Sequence, residues 1–281
     1  MDIKLIAFDL DGTFLTNKKE IPKENLNAII KAAESGAIIV PASGRFYNGM
    51  PKELRQLPFI RYAITINGAE VWDLKENKVV YECNITYEKA EEIFDYLEKL
   101  PVVFDCYQDD SGWLDQKYYP ILEDFIEDEP IRNVTLMTRK KVDNFRALMK
   151  ERARSVQKIQ ALFKDMDLRK KYLEILPKEF PEMNVVTSLY NNIEITAPLA
   201  TKGVALEKLC EYLNLPLENT IAFGDGTNDI EMIEKAGIGV SMANGDEKTK
   251  AAADIVTLSN EECGFAKIVN ELLENDKIKP M

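Results

Sequence analysis

Short apolar runs that end in small polar residues recur along the chain, separated by stretches in which apolar residues return every three or four positions. The first run, Leu5-Ile6-Ala7-Phe8, leads into Asp9, Asp11, Gly12 and Thr13 and reads as a buried strand stopped by a turn. Leu26, Ile29, Ile30 and Ala33 share one face of a helix over 22–35, and Gly36 closes it. A second strand is predicted over 37–41, ending at Ser43-Gly44-Arg45, then a helix over 51–57. A third strand over 62–66 ends at Asn67-Gly68. This strand–helix alternation predicts a parallel sheet covered by helices. Val71 and Val79-Val80, on either side of Glu76-Asn77, predict a hairpin after it.

The texture changes over 84–191, which is charge-dense and reads as a separate α+β insert. Helices are expected there over 86–100, 118–126, 142–152 and 167–176, and strands over 102–107, 134–137, 157–163 and 185–189. The first texture returns with a strand over 193–195, a helix over 201–213 and a strand over 220–223 that ends at Gly224-Asp225-Gly226. Helix, strand and helix follow over 229–236, 238–240 and 246–253, and the last few residues read as a frayed end. Residues 1–83 and 192–281 are therefore expected to form one α/β domain, with 84–191 inserted in it. In an open parallel sheet, ligands bind outside the carboxyl ends of the strands. Asp9, Asp11, Ser43, Asn67, Asp225, Asn228 and Asp229 fall at such ends, and Lys202, at a helix start after Ala197-Pro198, can join them.

Composition narrows the chemistry. The net charge of −12 argues against a nucleic-acid surface or an anionic-membrane patch as the main business. No apolar stretch approaches the roughly 18–20 residues of a membrane helix, and the short N-terminal run, broken by Asp9 and Asp11, is not a signal peptide. Cys83, Cys106, Cys210 and Cys263 form no C-x-x-C pair, which suits reduced thiols in a cytoplasmic protein. With no histidine at all, acid–base work must fall to carboxylates, lysine, tyrosine or cysteine. Asp9 and Asp11, two positions apart, project to one side of a strand tip; paired carboxylates attract a hard cation or split their protonation states.

Asp9-Leu10-Asp11-Gly12-Thr13, Ser43-Gly44-Arg45, Lys202-Gly203 and Gly224-Asp225-Gly226-Thr227-Asn228-Asp229 resemble, in order, the four motifs of the haloacid dehalogenase-like phosphohydrolases. The match is best to the Cof-type branch, whose cap domain lies where this insert lies, and Ile66-Asn67-Gly68-Ala69 and the 240–254 stretch look like that branch too. The resemblance implies a Rossmann-like three-layer core with an inserted α+β cap. It implies that Asp9 attacks phosphorus to form an aspartyl-phosphate, and that Asp11 first protonates the leaving oxygen and later activates water. Asp225 would bind Mg²⁺ with Asp9 and the main-chain carbonyl of Asp11, and Asp229 would anchor the metal site from nearby. Ser43 and backbone N–H groups near Gly44 would hold the phosphoryl group, Lys202 would offset the charge of Asp9 and of the phosphoryl oxygens, and Asn228 would position the phosphate or Lys202. Thr13 would tie the loop backbone. The implied activity is Mg²⁺-dependent hydrolysis of small phosphorylated metabolites such as sugar phosphates, with the insert selecting the leaving group. A phosphomutase or phosphotransferase shares these motifs, and a receiver-like phospho-aspartate module shares part of the pattern.

Overall fold

The computed structural model describes residues 2–280. Its strands before the insert are β1 (Leu5–Phe8), β2 (Ile38–Pro41), β3 (Tyr62–Thr65), β4 (Glu70–Asp73) and β5 (Lys78–Glu82). The insert carries β6 (Val102–Tyr107), β7 (Gly112–Asp115), β8 (Arg139–Val142), β9 (Lys158–Phe163), β10 (Asn184–Val186) and β11 (Asn192–Thr196). After it come β12 (Thr220–Gly224), β13 (Ile238–Ser241) and β14 (Ile255–Val256). Contacts divide the chain into two compact units, residues 1–44, 51–82 and 201–281 in one, residues 45–50 and 83–200 in the other.

The first unit is built on a parallel sheet in the order β14-β13-β12-β1-β2. A bridge between Ala42 and Ile64 brings β3 beside β2, and β3, β4 and β5 continue as an antiparallel meander. Alternation along β1 sends Leu5 and Ala7 to one face and Ile6 and Phe8 to the other. On the first face Leu5, Ala7 and Ala222 pack with Ala205, Leu206 and Leu209 of the helix Lys202–Leu213. On the second, Phe8 and Phe223 meet Phe14 and Phe265 with ring centroids 4.6–5.1 Å apart. Phe265 lies on the helix Gly264–Glu274, which packs beside the helix Lys23–Glu34; the sequence pattern did not single out that last helix. Asp9, next in the alternation after Leu5 and Ala7, therefore leaves the sheet on the side of Lys202.

The chain end is not frayed up to Pro280. Ile278 is buried and bridges to Ile3, and the Lys279 amide donates to the Ile3 carbonyl at 2.9 Å. Met281 lies outside the described residues.

The second unit holds a six-stranded sheet in the order β10-β11-β9-β6-β7-β8, antiparallel except for the β7–β8 pair. The strand at 192–196 was expected to begin the return to the α/β domain. It pairs instead with β9 and β10, because its polar residues Asn192 and Glu194 find Gln160, Ser188 and Lys158 there. Residues 45–50, expected with the α/β domain, also belong to this unit. Phe46 meets Tyr107 edge-on at 5.2 Å, and the Asn48 amide donates to Asp110 at 3.2 Å. The predicted strand over 134–137 is part of a helix, Glu129–Thr138, opened by Asp128, whose side chain accepts from the Ile131 amide. A helix N-cap six residues ahead of the β-branched pair Val134-Thr135 outweighs the local strand preference.

Much of the insert's charge is absorbed internally. Arg139 pairs with Asp105 at 2.8 Å and Lys158 with Glu194 at 2.7 Å, all four buried in side chain, and Arg146 engages Glu91, Asp95 and Glu98. All four cysteines are free thiols. Among the described residues no helix is long and apolar enough to cross a membrane.

Candidate active site

The carboxyl ends of β1 and β12 sit side by side, since Phe8 and Phe223 are register partners and the Asp9 amide donates to the Phe223 carbonyl at 2.9 Å. That pairing brings Asp9 and Asp225 together from positions more than two hundred residues apart. The loop after β1 closes through amides of Phe14 and Leu15 onto the Leu10 carbonyl, at 3.1 and 2.8 Å. Gly12 turns it with φ 92°, and a Cβ there would overlap the Asp225 carboxylate. Only glycine serves both the left-handed turn and the close approach.

Lys202 is the centre of the charge arrangement. Its Nζ lies 2.5 Å from Asp9 Oδ1 and 2.6 Å from Asp229 Oδ1, and the side chain is fully buried. Asp229 turns its other oxygen to the main chain, where Oδ2 accepts from the amides of Asp225 and Gly226, each at 3.0 Å. Both oxygens of Asp229 are thus engaged by the chain, and the residue fixes Lys202 and the Asp225 loop together. Thr13, expected to tie loop backbone, instead donates its hydroxyl to Asp225 Oδ1 at 2.8 Å. The main chain of Asp225 is braced as well, its carbonyl accepting from the Asp246 amide at 2.9 Å.

Desolvation is the dominant electrostatic cause at both Asp9, which is buried, and Asp225, which is partly so. It pushes the Asp9 carboxyl well above its ordinary value; Lys202 pulls it back, and Asp229, Asp225 and Asp11 raise it further. Burial and then Asp229 push Asp225 up to about 7, against the pull of Thr13 and Lys202. For Lys202, burial works against the charge, yet Asp229 and Asp9 outweigh it and hold the ammonium above its usual range. One cation among three carboxylates leaves an excess of negative charge in a site of low dielectric.

That excess suits a divalent cation. Asp9, Asp225 and Asp229 each offer an oxygen, and these atoms lie within 4.8 Å of one another. An octahedral ion with bonds of about 2.1 Å spaces its ligands roughly 3–4 Å apart, and Mg²⁺ takes hard oxygen donors of this kind. Asp11 lies outside this close group. Its carboxylate, about a third exposed, pairs with Lys19 at 3.0 Å, and no sequence signal had marked Lys19.

Ser43 is buried at the end of β2, its amide donating to the Ile64 carbonyl at 2.9 Å. Asn228 donates from Nδ2 to Asn67 Oδ1 at 3.2 Å, and that oxygen lies against Gly44. The structure thus gathers Asp9, Lys202, Asp225 and Asp229 in one cluster and joins Ser43, Gly44 and Asn228 through Asn67. Asn244 had been given no role; its Nδ2 donates to the Gly12 carbonyl at 2.8 Å while its Oδ1 accepts from the Asn260 amide. The Asn-Gly pairs at 67–68 and 244–245 were the available signal, since that dipeptide marks a tight turn.

The model of the haloacid dehalogenase-like hydrolases matches residues 6–269. The chain belongs to that family. It is a phosphatase of the Cof-type branch, with a Rossmann-like core and an inserted cap. The phosphatase is similar to Phosphatase YwpJ of Bacillus subtilis, with 30% identity over 96% of this chain and 100% of that one. It is 31% identical to the 5-amino-6-(5-phospho-D-ribitylamino)uracil phosphatase YcsE of the same organism, over 96% and 95% of the two chains. Among solved structures it is similar to the HAD subclass IIB sugar phosphatase BT4131, with a TM-score of 0.80, 26% identity, and coverage of 98% and 100%.

Proposed function

We propose that this phosphatase hydrolyses small phosphate monoesters, sugar phosphates or similar metabolites, in a Mg²⁺-dependent reaction through an aspartyl-phosphate on Asp9. The observation that carries the reading is the fully buried Lys202 shared between Asp9 and Asp229, with Asp225 alongside. Three acids and a lysine from three distant segments have no structural need to share one spot, and burying them together costs stability. The substrate class is supported by the relatives, one named for a sugar phosphate and one for a phosphorylated ribityl chain.

In this reading an Asp9 oxygen attacks phosphorus as the bond to the leaving oxygen breaks, and Asp11 delivers a proton to that oxygen. Asp11 then takes a proton from water, whose oxygen attacks the phosphoryl group; the Asp9–phosphorus bond breaks and inorganic phosphate is released. Lys202 holds Asp9 in place and offsets the charge of the phosphoryl oxygens. Ser43, the amide of Gly44 and Asn228 hold those oxygens. Bound to Asp9, Asp225 and the Asp11 carbonyl, Mg²⁺ would neutralise charge on the transferring group. Asp229 serves that site from one step away, as the brace of Lys202 and the Asp225 loop. Choice among leaving groups falls to the inserted unit, residues 45–50 and 83–200.

The test is release of p-nitrophenol from p-nitrophenyl phosphate, followed by a panel of sugar and polyol phosphates. Turnover should vanish in EDTA, return with Mg²⁺, and be abolished by Asp9→Asn in a protein that still folds. Metal-independent turnover, or full activity in Asp9→Asn, would remove the reading.

A further inference from the structure

We infer that Asn67, which lies outside the four motifs, is a positioning residue that holds Ser43-Gly44 and Asn228 in register for one phosphoryl group; this rests on the phosphate-site reading just proposed. The first observation is backbone strain. Ile66, Asn67 and Gly68 take φ values of 52°, 56° and 94° in succession. Glycine is at ease there and asparagine tolerates it, but a β-branched residue is strained because its Cβ crowds the following carbonyl. Strain of this kind persists only where the surroundings fix it, and it concentrates at functional sites.

Here the surroundings fix it from several sides. The Asn67 amide donates to the Ser43 carbonyl at 3.0 Å. Its side-chain Oδ1 accepts from Asn228 Nδ2 at 3.2 Å. The same oxygen would lie 2.7 Å from a Cβ on Gly44, so a side chain at 44 would push it away. Gly68 abuts the carbonyl of Thr201, and a Cβ there would overlap it. Thr201 caps the helix that begins at Lys202, its hydroxyl accepting from the Val204 amide. One turn, with Asn67 only 2% exposed, therefore touches the chain ends that carry Ser43, Lys202 and Asn228.

The bond from Asn228 fixes the plane of its amide before any anion arrives. A donor already aligned loses less freedom on binding than one that must be ordered, and misplacement by an ångström is enough to cost about a hundredfold. The backbone conformation at 67 calls for a residue tolerant of positive φ, which glycine satisfies best. What glycine cannot supply is the amide oxygen.

That difference gives the experiment. Asn67→Gly keeps the turn and deletes the amide, so its melting temperature should stay near that of the wild type. The inhibition constant for orthophosphate and the KM for p-nitrophenyl phosphate should both rise, by roughly tenfold or more, with kcat less affected. Asn67→Gly and Asn228→Ala should be non-additive, because either one already breaks the shared bond. Ser43→Ala separates the two readings. If it leaves orthophosphate inhibition unchanged, the phosphate site is elsewhere and both fall. If it weakens inhibition while Asn67→Gly does not, only the role of Asn67 is overturned. Should Asn67→Gly fail to fold, wild-type orthophosphate inhibition in Asn228→Ala overturns it instead.

Discussion

Asp225→Asn should make the metal-free enzyme more stable while removing its activity. The carboxyl of Asp225 is pushed from its ordinary 3.8 up to about 7, first by burial and then by Asp229. A carboxyl with a raised pKa holds its proton more tightly in the folded state than in the unfolded one. Between 3.8 and 7, stability therefore falls as pH rises, and above 7 the whole penalty is present. At 1.36 kcal/mol per pH unit, three such units amount to about 4 kcal/mol at pH 8 and less than half of that at pH 5. Asparagine keeps the shape and leaves an acceptor for the Thr13 hydroxyl, which lies 2.8 Å from Oδ1. It carries no charge to desolvate.

Allowing for the cost of burying the amide, a gain of roughly 2–3 kcal/mol at pH 8 is expected, or about 5 °C in melting temperature. The assay is thermal unfolding followed by circular dichroism, in EDTA, at pH 5 and pH 8. The advantage of the variant should be larger at pH 8. Mg²⁺ at a thousandfold excess over Kd should reverse the order, since binding then adds about 4.1 kcal/mol to the wild type and little to the variant. An Asp225→Asn enzyme less stable than the wild type at pH 8 without metal, or an advantage equal at both pH values, would refute the account of the site as a cage of excess negative charge.

Two further substitutions probe the same cluster. Lys202→Met leaves Asp9 and Asp229 buried without their shared cation, and should cost about 3–5 kcal/mol at pH 8 along with activity. The loss should shrink at pH 5, where Asp9 can neutralise itself by taking a proton; chemical denaturation at the two pH values checks this. Gly12→Ala forces alanine into φ 92° and its Cβ into the Asp225 carboxylate. It should lower stability by at least about 1–2 kcal/mol, and Mg²⁺ should no longer raise the melting temperature; an unchanged Mg²⁺ response would mean that the loop is free to move aside.

The sequence by itself determined the α/β core and its site in outline. Runs such as Leu5–Phe8 and Thr220–Gly224 are apolar on both faces, a pattern only a strand buried between two layers of helices requires, and each ends in acids that a buried strand cannot contain. Local composition therefore already marks where the strands stop and where ligands gather. The insert was less legible. Asn192–Thr196 carries an apolar, β-branched pattern that fits either sheet, and its polar partners, Lys158 and Gln160, are distant in sequence. The helix Glu129–Thr138 likewise depends on an N-cap that its β-branched residues argue against.

Tertiary structure alone decided how the charges are shared. Nothing in the local sequence says that Lys202 bridges Asp9 and Asp229, that both Asp229 oxygens are spent on the chain, or that Thr13 reaches Asp225. Hydrogen bonds and ion pairs act over a few ångströms; Thr13 and Asp225 are 212 residues apart in sequence, and only the assembled sheet brings such groups within range. The left-handed turn at Ile66 has the same origin: its surroundings hold it, through the bonds of Asn67 to Ser43 and Asn228 and the contact of Gly68 with Thr201.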